Sequence, residues 1–216
     1  MSWSPPPRRS EQATSAPLIS WQSSLFDGGE STPDLTFATL VRHELSRGAW
    51  VDHAPGWLHG ADTLFEWLLE HAPWQTSTQT IYDKTVVTPR LVASFGRDGA
   101  SLPLPLEAIR RALAARYGRE FDSVGANLYR DGRDSVAWHG DRIARTVKDP
   151  LVATVSLGHP RRFLLRPRGG ATELSLLPGG GDLVVMGGTS QRTWQHTVPK
   201  TASAGPRISV TIRHSR

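Results

Sequence analysis

The most regular alternation of polar and apolar residues lies near the end of the chain. In Arg207-Ile208-Ser209-Val210-Thr211-Ile212-Arg213 every second residue is apolar. That period of two predicts a strand with Ile208, Val210 and Ile212 on one face and Arg207, Ser209, Thr211 and Arg213 on the other. Asp182 to Gly188 reads as another strand ending in a turn. Asp131-Gly132 followed by Ser135-Val136-Ala137-Trp138 reads as a hairpin turn feeding a third. Between Phe37 and Leu58 the pattern predicts two short strands, the second over 51–57. Helical spacing occurs twice. Leu64, Phe65, Trp67, Leu68 and Leu69 give an apolar side to a helix that starts near Asp62 and stops at Pro73. Leu106, Ile109 and Leu113 form the stripe of a second, from about Pro105 to Tyr117, with proline in its first turn and Gly118 as its stop. The helices would buttress a closed or double-sheet β architecture.

Composition narrows this picture. With 216 residues the chain can fill one well-packed domain with a modest extension. Residues 1–33 are rich in Pro, Ser, Arg and Gly and predict a flexible segment, which leaves 34–216 as the folded domain. There is no cysteine, which excludes a disulfide framework and a thiolate metal site. No apolar run approaches the roughly 20 residues that cross a bilayer, and the N-terminus lacks a signal-peptide core. A cytoplasmic, monomeric enzyme is the expectation. The net charge of +5 and a pI near 10.2 permit binding to polyanions. Arg130, Arg133, Arg142, Arg145, Arg161, Arg162, Arg166, Arg168 and Arg192 crowd the second half, and several are expected to line a nucleic-acid track.

The candidate chemistry sits among the predicted strands. His139 and Asp141 are two residues apart, so on one strand they would point to the same face. His196 lies far along the chain and must reach them from another strand. Two histidines and one carboxylate are the ligand set of a non-haem Fe(II) oxygenase, which leaves half the coordination sphere open. Arg207 and Arg213 nearby suit an anionic cosubstrate, since guanidinium meets carboxylate in a planar fork. An isolated His-x-Asp is common by chance, and two arginines can simply edge a basic strand. The ordered combination, with Asn127-Leu128-Tyr129 upstream, is what points to a metal.

At these residues the chain resembles the AlkB family of 2-oxoglutarate- and Fe(II)-dependent dioxygenases. The likeness runs from about Pro89 to Arg213. It includes Pro89-Arg90, Ser94-Phe95-Gly96, Asn127 to Gly132, Val155-Ser156-Leu157-Gly158 with Arg162-Phe163, the run from Gly187 to His196, Val198-Pro199-Lys200, and the closing Arg-x5-Arg. The resemblance implies a mainly β (α+β) fold, a double-stranded β-helix or jelly roll. It implies that His139, Asp141 and His196 hold Fe(II), that Asn127, Tyr129, Arg207 and Ser209 bind 2-oxoglutarate, and that Arg213 supports its metal-chelating end. The implied reaction uses O2 to couple decarboxylation of 2-oxoglutarate to hydroxylation of an N-linked alkyl carbon in DNA, with RNA also in view. The hemiaminal then collapses to an aldehyde and the restored base.

The same resemblance makes residues 74–103 a nucleotide-recognition lid. Tyr82, Arg90, Phe95, Trp138, Arg142 and Ile143 would face the substrate, with Tyr82 a wedge into the gap left by a flipped base. Two departures bear on specificity. Ile143 stands where nucleic-acid-repairing members carry an acidic residue, which predicts a preference shifted towards etheno-type adducts. The lid segment Arg97 to Pro103 lacks the aromatic that relatives stack on the base. An oxygenase acting on a protein side chain or a small molecule is the alternative. Gln22-Ser23-Ser24-Leu25-Phe26 resembles a bacterial sliding-clamp motif, against the plainer reading that Leu25 and Phe26 dock on the enzyme itself.

Overall fold

The computed structural model describes residues 29–81, 84–96, 101–141 and 147–214, with side chains for all of these except 78–81 and 84–87. Gln22–Phe26, Tyr82, Arg142 and Ile143 lie outside the described residues. The strands are β1 (Thr32–Pro33), β2 (Val41–Glu44), β3 (Ala49–Ala54), β4 (Leu58–His59), β5 (Gln75–Ile81), β6 (Lys84–Phe95), β7 (Ser123–Tyr129), β8 (Val136–His139), β9 (Val152–Gly158), β10 (Phe163–Pro167), β11 (Leu174–Leu176), β12 (Leu183–Gly188), β13 (Trp194–Val198) and β14 (Arg207–Arg213). The helices are α1 (Ala61–His71), α2 (Leu104–Tyr117) and a single turn, α3 (Ser190–Thr193).

An eight-stranded sheet runs β2-β3-β12-β9-β14-β7-β6-β5, and a four-stranded sheet runs β11-β10-β13-β8. Every pairing in both is antiparallel. The larger sheet sends alternate residues to two separate cores. Ala153, Val155, Leu183, Val185, Ile208, Val210 and Ile212 join Leu64, Phe65 and Leu68 of α1 and Leu106, Ile109 and Leu113 of α2 in one cluster. Val152, Val184, Met186 and Tyr129 face the other way, onto Phe163, Leu165, Leu176, Trp194 and Val198 of the smaller sheet. The layers are therefore helices, large sheet, small sheet, the jelly roll expected from sequence. The fully buried Ile208, Val210 and Ile212 contribute roughly 1.5–3 kcal/mol each. Their polar neighbours on β14 are left to face the space between the sheets.

Differences from the sequence reading have local causes. The folded unit begins before residue 34: β1 pairs with β4, and the buried Ser31 hydroxyl donates to the Gly60 carbonyl at 2.8 Å. The region 37–58 holds two strands as expected, but the second ends at Ala54 rather than near Trp57. Trp67 was expected in the core; it is 37% exposed and stacks on His71, because α1 spends its buried face on Leu64, Phe65 and Leu68. Gly158, at φ +79°, lets α1 approach β9, since a Cβ there would sit 2.8 Å from the Phe65 ring.

Candidate metal centre and its pocket

β13 and β8 pair so that His196 lies directly across from His139, with ring centroids 4.2 Å apart. Between that pair and the next, Val198 with Val136, β8 holds one residue more than β13. This bulge turns both Val136 and His139 towards the space between the sheets. It leaves Trp138 under the Arg166 guanidinium, 4.2 Å from the ring centroid. Strand alternation was expected to aim Asp141; instead β8 ends at His139 and Asp141 follows a tight step through Gly140. A Cβ on Gly140 would come within 2.6 Å of the Gln191 carbonyl oxygen, so the residue must be glycine for the chain to pass. The Asp141 amide then donates to Gln191 Oε1 at 2.8 Å. Gln191 is buried on α3, and the sequence reading did not single it out.

His139, Asp141 and His196 each offer a ligand atom, and these atoms lie within 4.8 Å of one another, a group that could hold a metal ion. Their protonation suits that use. Burial, helped by the neighbouring His139, pushes the His196 imidazole down to about 3, so it is neutral with a free lone pair. Burial opposes the charge on Asp141, but Arg213 outweighs it and, with the histidines, holds the carboxyl below its usual range. Arg213 Nε donates to Asp141 Oδ2 at 2.6 Å. His139 Nδ1 sits 2.9 Å from the Ala137 carbonyl, which fixes the tautomer and leaves Nε2 towards Asp141, 3.6 Å from Oδ1. Two nitrogen donors and one carboxylate on a single face fit Fe(II).

Beside this cluster opens a pocket between the two sheets. Its floor is the polar face of β14, with Arg207, Ser209, Thr211 and Arg213 all lining it. Register brings Tyr129 opposite Arg207 and Asn127 opposite Ser209 on the neighbouring strand, and both line it too. Arg207 is 1% exposed; its Nη2 donates to Ser156 Oγ at 2.7 Å, while Nε and Nη1 have no hydrogen-bond partner among the described residues. Burial pushes its guanidinium below the usual value. A buried cation with unpaired donors is costly, and an anionic carboxylate accepting from it would offset that cost. From sequence Ser156 stands out only as part of a motif; its hydroxyl, with that of Thr154, in the buried run of β9 is the available signal.

The expected substrate residues separate. Arg90 lines the pocket and donates from Nε to Asn127 Oδ1 at 2.9 Å. Phe95 packs on the helix-covered core instead, because β6 turns it away from the pocket, and Trp138 is turned out by the bulge. Several arginines of the expected track also bond within the chain. Arg130 pairs with Asp134, Arg133 with Asp131, Arg166 with Gln195, and Arg168 donates to the Arg192 carbonyl. Arg161 is 3% exposed and donates to the carbonyls of Asp131, Asp134 and Pro199. Arg130, Arg133, Arg162, Arg168 and Arg192 remain exposed.

A jelly roll with two imidazoles and a carboxylate at one end of a cationic pocket defines a class, and comparison with known proteins agrees. Residues 93–213 match the 2OG-Fe(II) oxygenase superfamily, to which the chain belongs. Within it, the relatives that match the chain include AlkB-type dioxygenases, of whose own length the chain spans less than two thirds. Alpha-ketoglutarate-dependent dioxygenase alkB homolog 3 of Bos taurus is 34% identical over 177 residues, 72% of this chain and 62% of its own length. The Homo sapiens counterpart is 31% identical, over 71% and 61%. DNA oxidative demethylase ALKBH2 of Arabidopsis thaliana is 31% identical over 70% of this chain, which again spans 61% of the relative. Among solved structures, a Trichoplax adhaerens prolyl hydroxylase in complex with a hypoxia inducible factor peptide has the same fold, with a TM-score of 0.57, 12% identity, and coverage of 79% of this chain and 84% of that one. OsALKBH1 matches at a TM-score of 0.53 and 14% identity, over 81% and 100%. Among the described residues no helix is long and apolar enough to cross a membrane.

Proposed function

We propose that the protein is an Fe(II)- and 2-oxoglutarate-dependent dioxygenase that oxidatively dealkylates damaged bases in DNA, and in RNA where a lesion can reach the site. The observation that carries this reading is Arg207, with two unpaired guanidinium donors buried in the same pocket that the His139, Asp141 and His196 cluster closes. Fe(II), 2-oxoglutarate and O2 together supply the oxidising power to hydroxylate an unactivated alkyl carbon.

The side chains have distinct tasks. His139, Asp141 and His196 would hold the ion through two imidazole nitrogens and one carboxylate. Arg207 takes the distal carboxylate of 2-oxoglutarate in a planar fork, with Tyr129 and Ser209 beside it. Arg213 keeps Asp141 ionised and aimed, so its part in the metal end is exerted through that ligand. Phe163, Val152, Met186 and Val198 give the pocket apolar walls that limit water around the oxidising centre. None of these groups has to act as a nucleophile.

Nucleic acid as the substrate is supported by the family relatives, among them a DNA oxidative demethylase, and by the basic charge of +5. The test is a panel of oligonucleotides carrying 1-methyladenine, 3-methylcytosine or ethenoadenine, with Fe(II), 2-oxoglutarate and ascorbate. Lesion-dependent release of succinate and aldehyde is expected, with ethenoadenine favoured because Ile143 cannot accept a hydrogen bond from an exocyclic amino group. Turnover of 2-oxoglutarate that no alkylated oligonucleotide stimulates would overturn the nucleic-acid reading and leave the small-molecule or protein-side-chain alternative.

A further inference from the structure

We infer that Arg90 is a positioning residue for the cosubstrate: it locks the Asn127 carboxamide so that its N–H, rather than its carbonyl, is presented to the pocket. Asn and Gln amides can flip, since their two ends are nearly isosteric, and only the hydrogen-bond network decides which end points where. Guanidinium has five donors and no acceptor. Arg90 Nε lies 2.9 Å from the Asn127 side chain, so the end it touches must be the oxygen. The amide nitrogen is thereby left for the pocket that Asn127 lines beside Ser209 and Arg207. A dicarboxylate arriving there meets a donor. With the amide reversed it would meet a carbonyl oxygen, and two acceptors would repel.

Arg90 is held in place for this task from two sides. Its pairing neighbour Leu91 lies opposite Leu128 on β7, one residue along from Asn127. The Pro89 carbonyl accepts from the Ser135 amide at 3.1 Å, and Arg90 Nη1 reaches the Ser135 carbonyl at 3.5 Å. The arginine thus ties β6, the strand that leads out to the lid hairpin, to the turn before His139. This places Arg90 on the cosubstrate side of the pocket, where the resemblance to the family put it on the substrate side.

The inference rests on reading the pocket as the 2-oxoglutarate site, and the experiment separates the two. Affinity for 2-oxoglutarate is measured by calorimetry on Mn(II)-loaded protein, without turnover, for the wild type, Arg90→Ala, Arg90→Lys, Arg90→Met, Asn127→Ala and the Arg90→Ala/Asn127→Ala double variant. Asn127→Ala and Arg90→Ala should each weaken binding by about three- to tenfold, the scale of one hydrogen bond. The double variant should be no weaker than Asn127→Ala alone, because the arginine acts through the amide. Arg90→Lys, which keeps a donor on that side, should recover part of the loss, whereas Arg90→Met, which keeps the volume without the donor, should not. Unchanged affinity in Arg90→Ala with a loss in Asn127→Ala overturns the inference and spares the pocket; so do losses that multiply in the double variant. A raised KM for oligonucleotide at unchanged 2-oxoglutarate affinity overturns it in favour of substrate contact. If Asn127→Ala and Arg207→Ala both leave 2-oxoglutarate binding intact, the pocket reading itself fails, and the inference with it.

Discussion

At the scale of single residues, the site separates groups that bind from groups that orient. Arg207 is a binder with two donors already desolvated and unpaired, so its interaction with a carboxylate is made in a low-dielectric setting. Replacing it by alanine should raise the dissociation constant for 2-oxoglutarate on the order of 100-fold, about 2.7 kcal/mol. Arg207→Lys should recover little of this, since an ammonium cannot form the planar fork. Calorimetric titration checks both. What was legible in the sequence at this scale follows from chemistry that is local. A strict period of two on β14 announced which side chains share a face, and His139, Asp141 and His196 announced themselves by residue type. Gln191 and the Arg90–Asn127 bond were not legible as partners. Each joins positions 37 to 50 residues apart, and nothing in the local pattern tells which donor meets which acceptor.

At the scale of elements, the junction after β8 matters most. Period-two logic placed Asp141 on the histidine strand; in fact a bulge aims His139, and Gly140 with Gln191 aims Asp141. A bulge costs one unpaired residue and has no reliable sequence mark, which is why alternation alone misplaced the aspartate. Gly140→Ala should displace Asp141 by forcing its chain away from the Gln191 carbonyl. Mn(II) affinity should fall at least tenfold, with a smaller change in thermal stability, and parallel metal titration and melting experiments separate the two. Arg161 makes the complementary case. Sequence reading grouped it with cations along a nucleic-acid track, yet its guanidinium pins the Asp131–Asp134 turn to the segment at Pro199. Arg161→Met leaves three carbonyls without this donor and should cost about 2–4 kcal/mol in denaturant unfolding. The salt dependence of oligonucleotide binding should not change, which a binding series across ionic strength would check.

At the scale of the whole molecule, two sheets and two helices share one sheet between two cores, and the metal cluster closes the space between the sheets. The layer order was legible because Ile208, Val210 and Ile212 demand one apolar partner surface while their neighbours demand another. The α1 and α2 stripes supplied that surface within a residue or so of the expected bounds. Trp67 shows the limit, since an apolar side chain on a broad stripe does not say which of its members the partner sheet will cover. Because the ligands come from β8, the segment after it and β13, metal and cosubstrate bind the folded state and not the unfolded chain. At a hundredfold excess over the dissociation constant a ligand adds about 2.7 kcal/mol of stability, roughly 5–10 °C in Tm for a chain of this size. Mn(II) with 2-oxoglutarate should raise the Tm of the wild type by that amount and leave His139→Ala unmoved.

The most direct test of the central claim is the iron content of anaerobically loaded protein, followed by succinate yield once air and 2-oxoglutarate are admitted. The account predicts one Fe(II) per chain, succinate formed in its presence, and loss of both in variants of His139, Asp141 or His196. Protein that takes up no iron, or binds it equally well without those three side chains, would contradict it.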